Sequence, residues 1–248
     1  MSEQSFGHAQ LALNLRLRDA SAFENYFVAR NREAVERLQQ AVQGLSAAPQ
    51  SPASWLLLWG EPGTGKTHLL EAACRAAQAQ GYAPLYVPLA EKKDFTTALL
   101  EDAEQAPLVC VDDVDAIAGD AAWEAALFAL YERLRAQACP EQGRRGGMLV
   151  LAARHSPAAI GLKLADLATR LAAGLVYQLK PLSDAEKIAA LRLRAQRRGL
   201  EMTEEVANYL LTRFPRDTHS LFALLDKLDT ATLAAQRRLT IPFLRGLE

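Results

Sequence analysis

The chain has 248 residues, of which 50% are hydrophobic, 23% charged and 7% aromatic, which excludes a disordered or fibrous protein. Its 28 Lys+Arg against 29 Asp+Glu leave a net charge of -1, which argues against a protein that holds duplex DNA mainly through phosphate contacts. No apolar run reaches the roughly 18 residues that a membrane helix needs, and MSEQSFGHAQ lacks the features of a secretory signal, so a cytoplasmic protein is expected.

In chain order, a helix is expected over Arg32–Gln43, then a Pro- and Ser-rich loop over 46–54. WLLLW (55–59) suits a buried parallel strand ending at Gly60. A helix over His68–Ala79 follows, then a strand at 84–89, a helix over Lys93–Glu104 and a strand at LVCVDD (108–113). Apolar residues at 123, 126, 127, 130, 131 and 134 predict an amphipathic helix between Asp120 and Ala138. A polar loop at 140–147 leads to strands at 148–153 and 175–179. Beyond Pro181 the pattern changes to helices at about 184–198, 204–213 and 218–237, the first opened by a capping box of Ser183 and Glu186. Leu221, Leu224, Leu225 and Leu228 share one face of the last. The fold class is therefore α/β: a P-loop domain with a five-stranded parallel sheet and flanking helices, followed by a small all-helical domain. The expected boundaries are 1–20 for an extended N-terminal segment, 21–180 for the α/β domain and 181–248 for the helical domain.

Charge is unevenly divided. Residues 60–130 hold 4 Lys/Arg and 12 Asp/Glu, while 180–248 hold 12 and 9. Arg194, Arg197 and Arg198 share a helix face, read as solvated. Cys74, Cys110 and Cys139 are far apart, and His8, His68, His155 and His219 are scattered, so neither a zinc site nor a disulfide framework is expected.

GEPGTGKT (60–67) fits the P-loop pattern in full, between a strand and a helix. Gly60, Glu61, Pro62, Gly63, Thr64 and Gly65 would wrap backbone N–H groups around phosphate oxygens, with His68 opening the helix behind them. Lys66 would reach the β- and γ-phosphates of ADP or ATP, and Thr67 would give its hydroxyl to Mg²⁺. At the C-terminal end of the third strand, Asp112 would hold Mg²⁺ through water and Asp113 would polarise an attacking water.

Together these features resemble the AAA+ ATPases, and within them the family of the DnaA initiator and its shorter relative Hda. AFENYF (22–27), VDDVDAIAGD (111–120), WEAALFALYERL (123–134), LADLATRL (164–171), KPLSDAEK (180–187) and AQRRLTIPFLRGL (235–247) carry the likeness. The initiator continues into a helix-turn-helix domain, whereas this chain ends beyond its lid, so the resemblance favours the shorter relative. Gln10-Leu11-Ala12-Leu13-Asn14-Leu15 alternates as a strand would, and spacing alone favours an edge strand. The resemblance instead implies a sliding-clamp-binding motif made by Gln10, Leu11, Leu13 and Leu15. Spacing alone pairs Arg170 with Asp166. The resemblance implies that Arg170 is an arginine finger acting in trans.

Two positions depart from the family. Ala152-Ala153-Arg154-His155 occupies a segment where relatives carry a polar, often acidic, sensor. In RDTHSL (216–221), His219 stands where an arginine is expected, with Arg216 as a substitute. Both departures question this chain's own hydrolysis but not its nucleotide binding. The family implies a regulator that binds ADP or ATP with Mg²⁺. It would dock on the clamp of DNA polymerase III, meet DNA only through that clamp, and stimulate ATP hydrolysis by DnaA. Homodimerisation stays open. Two alternatives are a stand-alone ATPase motor or loader, and an initiator-like DNA-binding module.

Overall fold

The computed structural model describes residues 21–46, 55–137, 147–235 and 239–245. The expected clamp-binding residues Gln10, Leu11, Leu13 and Leu15, and Cys139, lie outside them. The chain divides into two compact units, one ending at Leu179 and one beginning at Lys180.

In the first unit, β1 (Trp55–Trp59), β2 (Leu85–Pro88), β3 (Leu108–Asp112), β4 (Met148–Ala153) and β5 (Leu175–Gln178) form one sheet in the order β2-β3-β4-β1-β5. Every pairing is parallel, and Leu57 of β1 lies opposite both Leu151 and Val176. A parallel sheet needs cover on both faces, so its central strands read as unbroken apolar runs. β3 and β4 are buried at every position. Their period of two splits the core. Leu57, Val109, Val111, Leu149 and Leu151 face Leu127 and Leu130 of α3 (Ala121–Gln137) and Leu167 and Leu171 of α4 (Ala165–Ala172). Leu56, Leu58, Cys110, Val150 and Ala152 face Leu38 of α1 (Arg32–Gln43) and Leu69, Leu70 and Ala73 of α2 (Lys66–Ala79). Cys74 and Cys110 are buried free thiols on that second face.

The expected helix over Lys93–Glu104 does not form. Short 3₁₀ turns take its place at Leu89–Asp94, Thr97–Leu100 and Ala103–Gln105. Phe95, Thr96 and Glu101 are extended and Asp102 is left-handed at φ 58°. Asp94 and the adjacent Thr96-Thr97 compete with helical backbone bonding. Tertiary contacts complete the break. Leu100 and Ala103 are buried, and Arg133 of α3 reaches Leu100 O at 2.6 Å and Glu104 at 2.8 Å.

Glu124 of α3 is 1% exposed and staples two loops. Its carboxylate accepts from Gly119 N at 2.7 Å, Lys163 N at 2.9 Å and Leu164 N at 2.7 Å. Burial alone would push this carboxyl up, but the three amides outweigh it and hold its pKa below the usual range. A depressed folded pKa contributes stability above the unfolded value of about 4.3, which is lost as pH falls through the folded value. Glu124→Gln is therefore expected to cost about 1.5–3 kcal/mol at neutral pH. Thermal melts from pH 7 down to 3 check it. A deficit that does not narrow in acid would contradict the assignment.

The second unit holds α5 (Asp184–Arg197), α6 (Glu204–Arg213), α7 (Thr218–Ala235) and α8 (Ile241–Arg245), the last not anticipated from sequence. The capping box is present: Ser183 Oγ accepts from Glu186 N, and Glu186 accepts from Ser183 N at 2.7 Å. Leu191, Val206, Leu210, Leu221, Leu225 and Leu228 share its core. The arginine face of α5 is not simply solvated. Arg194 stacks over Phe222 at 4.6 Å, and both Arg194 and Arg198 pair with Asp226. Among the described residues no helix is long and apolar enough to cross a membrane.

Candidate nucleotide site

β1 ends at the sheet's C-terminal edge, and the loop that follows folds back over it. Gly60 adopts φ 155°, and a Cβ there would lie 2.5 Å from Leu179 O. Gly60 N donates to Ala153 O at 3.2 Å, tying the loop to the end of β4. Glu61, Pro62, Gly63 and Thr64 make a tight turn, closed by Thr64 Oγ donating to Glu61 O at 2.9 Å. Gly65 caps α2 at φ 89°, where a side chain would collide with the Tyr26 ring.

The loop has a second support. The Tyr26 hydroxyl donates to Thr64 O at 3.0 Å and accepts from Asn31 Nδ2 at 2.9 Å. Burial pushes this phenol up to about 12, with the Asn31 bond pulling against it. His68 Nε2 donates to Ala22 O at 2.9 Å, and its ring packs on Tyr26. Ser21 bonds to Glu71 of α2. Residues 21–31 thus strap the loop and the start of α2.

Lys66 is 8% exposed, and its ammonium donates to Gly60 O at 2.7 Å and Glu61 O at 3.0 Å. Burial lowers its pKa, opposed by Asp112, Asp113 and Asp115 and reinforced by Arg154. A buried cation set at a helix start, where first-turn N–H groups have no intrahelical partner, fits a polyphosphate. Thr67 follows in the first turn of α2, half-buried.

Asp112 ends β3 at 2% exposure and accepts from the Tyr86 hydroxyl at 2.8 Å and from Asp113 N at 2.9 Å. Burial, then the charge of Asp112, push Tyr86 far above the usual phenol value. Two fixed donors hold the Asp112 carboxylate in one orientation while leaving lone pairs for metal-bound water, so Asp112 and Thr67 fit Mg²⁺. Asp113 is left-handed at φ 52°, a strained conformation for a residue with a Cβ. Burial and then Asp112 raise its pKa, offset by Arg154 and Lys66. A raised carboxyl beside a phosphate loop suits polarising water.

Residues 56–171 match the AAA family, the ATPase family associated with various cellular activities. Residues 184–247 match the Hda lid domain. The chain is an AAA+ protein with an Hda lid domain. Its fold is similar to that of domain III of the Thermotoga maritima replication initiation protein DnaA, at TM-score 0.71 and 19% identity, over 91% of this chain and 94% of that one. AMPPCP-bound DnaA from Aquifex aeolicus matches at TM-score 0.63 and 23% identity, over 85% of this chain and 66% of that one. A replication initiator DnaA bound to AMPPCP and single-stranded DNA matches at 0.65 and 22%, over 87% and 65%. The chain thus spans about two thirds of the length of these last two.

In this AAA+ protein Arg170 lies away from the loop. α4 descends toward Leu175, where β5 begins, so Arg170 sits near the sheet's N-terminal edge. It pairs with Glu132 of α3 at 3.7 Å instead of Asp166, an ion pair too long for a hydrogen bond. Tyr131, next to Glu132, packs edge-on against Trp55, the first residue of β1. The loop begins beyond the far end of that strand, about 13 Å away at about 3.3 Å per residue. In the lid, Arg216 pairs with Asp184 at 3.5 Å, and His219 belongs to α7. The fold brings together Gly60 through His68, Asp112 and Asp113. Sequence reasoning missed Tyr26, Tyr86 and Asp115. Tyr26 lay inside AFENYF, whereas Tyr86 is legible only once β2 is known to pair with β3.

Proposed function

We propose that this protein binds ADP or ATP with Mg²⁺ and docks on the DNA-loaded sliding clamp through Gln10, Leu11, Leu13 and Leu15. It presents Arg170 to ATP held by DnaA, so that DnaA hydrolyses its nucleotide and loses competence to initiate. The position of Arg170 carries this proposal. It stands at the opposite edge of the sheet from the loop of its own chain, 42% exposed, and is held by an ion pair worth roughly 0–1 kcal/mol. Such an arginine is cheap to release and suited to a phosphate on another molecule.

A bound nucleotide supplies the polyphosphate, with Mg²⁺ as its counter-ion. Lys66 and the N-terminal amides of α2 would bind it, and Thr67 and Asp112 would orient the metal's shell. Gln10 and the alternating leucines are read as an extended peptide for a hydrophobic pocket.

Reconstitution tests the proposal. Phosphate release from ATP-bound DnaA is expected to accelerate only when this protein and DNA-loaded clamp are both present. Replacing Gln10, Leu13 and Leu15 together by alanine is expected to abolish clamp binding and acceleration with melting temperature nearly unchanged. Buried edge-strand leucines would instead cost about 2–5 kcal/mol each. A large fall in melting temperature with clamp binding retained would overturn the docking role. The complete set of Lys66, Asp112 and Asp113 favours a second reading, a stand-alone ATPase. Rapid intrinsic turnover without DnaA would establish that one.

A further inference from the structure

α3 and α4 pack together near the N-terminal edge of the sheet, and three charges meet there. Glu132 stands between two arginines. Its Oε1 faces Arg170 Nε at 3.7 Å, and its Oε2 faces Arg135 Nη1 at 3.8 Å. Neither distance is a hydrogen bond. Oε1 is nonetheless shielded from solvent and has no hydrogen-bond donor among the described residues. The base of the cluster is fixed, because the preceding residue, Tyr131, is buried and packs edge-on against Trp55 at 4.7 Å. Burial raises the Tyr131 phenol, with Arg170 and Arg135 pulling it down and Glu132 pushing it up, so all three charges lie around one ring. Both arginine side chains are about half exposed.

A carboxylate oxygen so placed restrains a guanidinium by charge, without a bond of fixed geometry. A phosphate that takes Arg170 replaces this long contact with short charge-assisted bonds. Glu132 keeps Arg135 when Arg170 leaves, so it is not stranded as an unpaired charge. It does remain close to the incoming anion, and like charges oppose the approach. We infer that Glu132 is a counter-charge that competes with a partner's polyphosphate for Arg170 and so sets how tightly that partner is engaged. This rests on the trans-acting reading of Arg170 above and adds to it the residue that restrains the finger. Without Glu132 the arginine pair would draw any polyanion. With it, a ligand of concentrated charge is needed to displace the carboxylate.

The test follows phosphate release from ATP-bound DnaA with DNA-loaded clamp while this protein is titrated. Glu132→Gln keeps the shape of the side chain and removes its charge. It is expected to lower the half-saturating concentration about three- to fivefold and to leave the plateau rate unchanged, since a competing ion acts on binding and not on the transition state. The gain should shrink as ionic strength rises from about 0.05 to 0.3 M, because half-exposed charges are screened. The melting temperature is expected to stay near the parent's. An unchanged or higher half-saturating concentration, a lower plateau, or a gain independent of salt would overturn the inference. Arg170→Ala is titrated in parallel. If it stimulates as the parent does, or if the parent does not stimulate at all, the trans-acting reading fails and the role of Glu132 falls with it. Loss of stimulation in Arg170→Ala with no shift in Glu132→Gln removes the role of Glu132 alone.

Discussion

Arg170→Ala is expected to bind the clamp and nucleotide as the parent protein does, yet to reduce the stimulated hydrolysis by DnaA about 10³-fold or more. The reason is geometric. Arg170 stands at the sheet's N-terminal edge beside Glu132, so its removal deletes neither a core contact nor a ligand of its own loop. An arginine that completes a neighbour's site stabilises charge that develops only in the transition state, so its loss appears in rate and not in affinity. Arg170→Lys is expected to fail as well, because a point charge on a flexible stem does not reproduce the planar fork. Phosphate release from ATP-bound DnaA with DNA-loaded clamp is the measurement. Near-parental stimulation by Arg170→Ala would remove the trans-finger assignment. Loss of intrinsic turnover alone would favour a self-assembling motor.

Lys66→Ala has the second-largest expected effect. The variant should lose at least about tenfold in affinity for ADP and ATP alike, since the lysine supplies the main positive side chain at the loop. Its ammonium rests on Gly60 O and Glu61 O, so the loop is drawn around the cation. Titration of parent and variant decides the matter. Unchanged affinities would mean that GEPGTGKT is only a turn.

The sheet and its main helices were legible because their signals are local and strong. α1 and β4 have the bounds expected, and the capping box opens α5 where Ser183 and Glu186 place it. The segment 93–104 was not legible, because Arg133, remote in sequence, captures Leu100 O and decides where the chain bends. α8 was missed since five residues are too few to show a helical period. At the site, Lys66, Asp112 and Asp113 stand where strand ends must put them. Asp115 was not recognised, because its role depends on the backbone of Arg154 and His155, about forty residues away. The ion pairs of Arg194 and Arg198 required knowing that α7 lies against α5.

The strap over the phosphate loop also sets a length. Ser21 is anchored to Glu71 of α2, and Gln10 lies eleven positions before it. Whatever path the chain follows, eleven steps reach at most about 40 Å at about 3.3–3.6 Å each. With Gln10 seated in a clamp pocket, the start of α2 cannot leave a sphere of that radius. A molecule so leashed is present there at an effective concentration on the order of millimolar. An initiator brought close to the same clamp would meet Arg170 by a search within one small volume, and a weak contact between the two proteins would suffice.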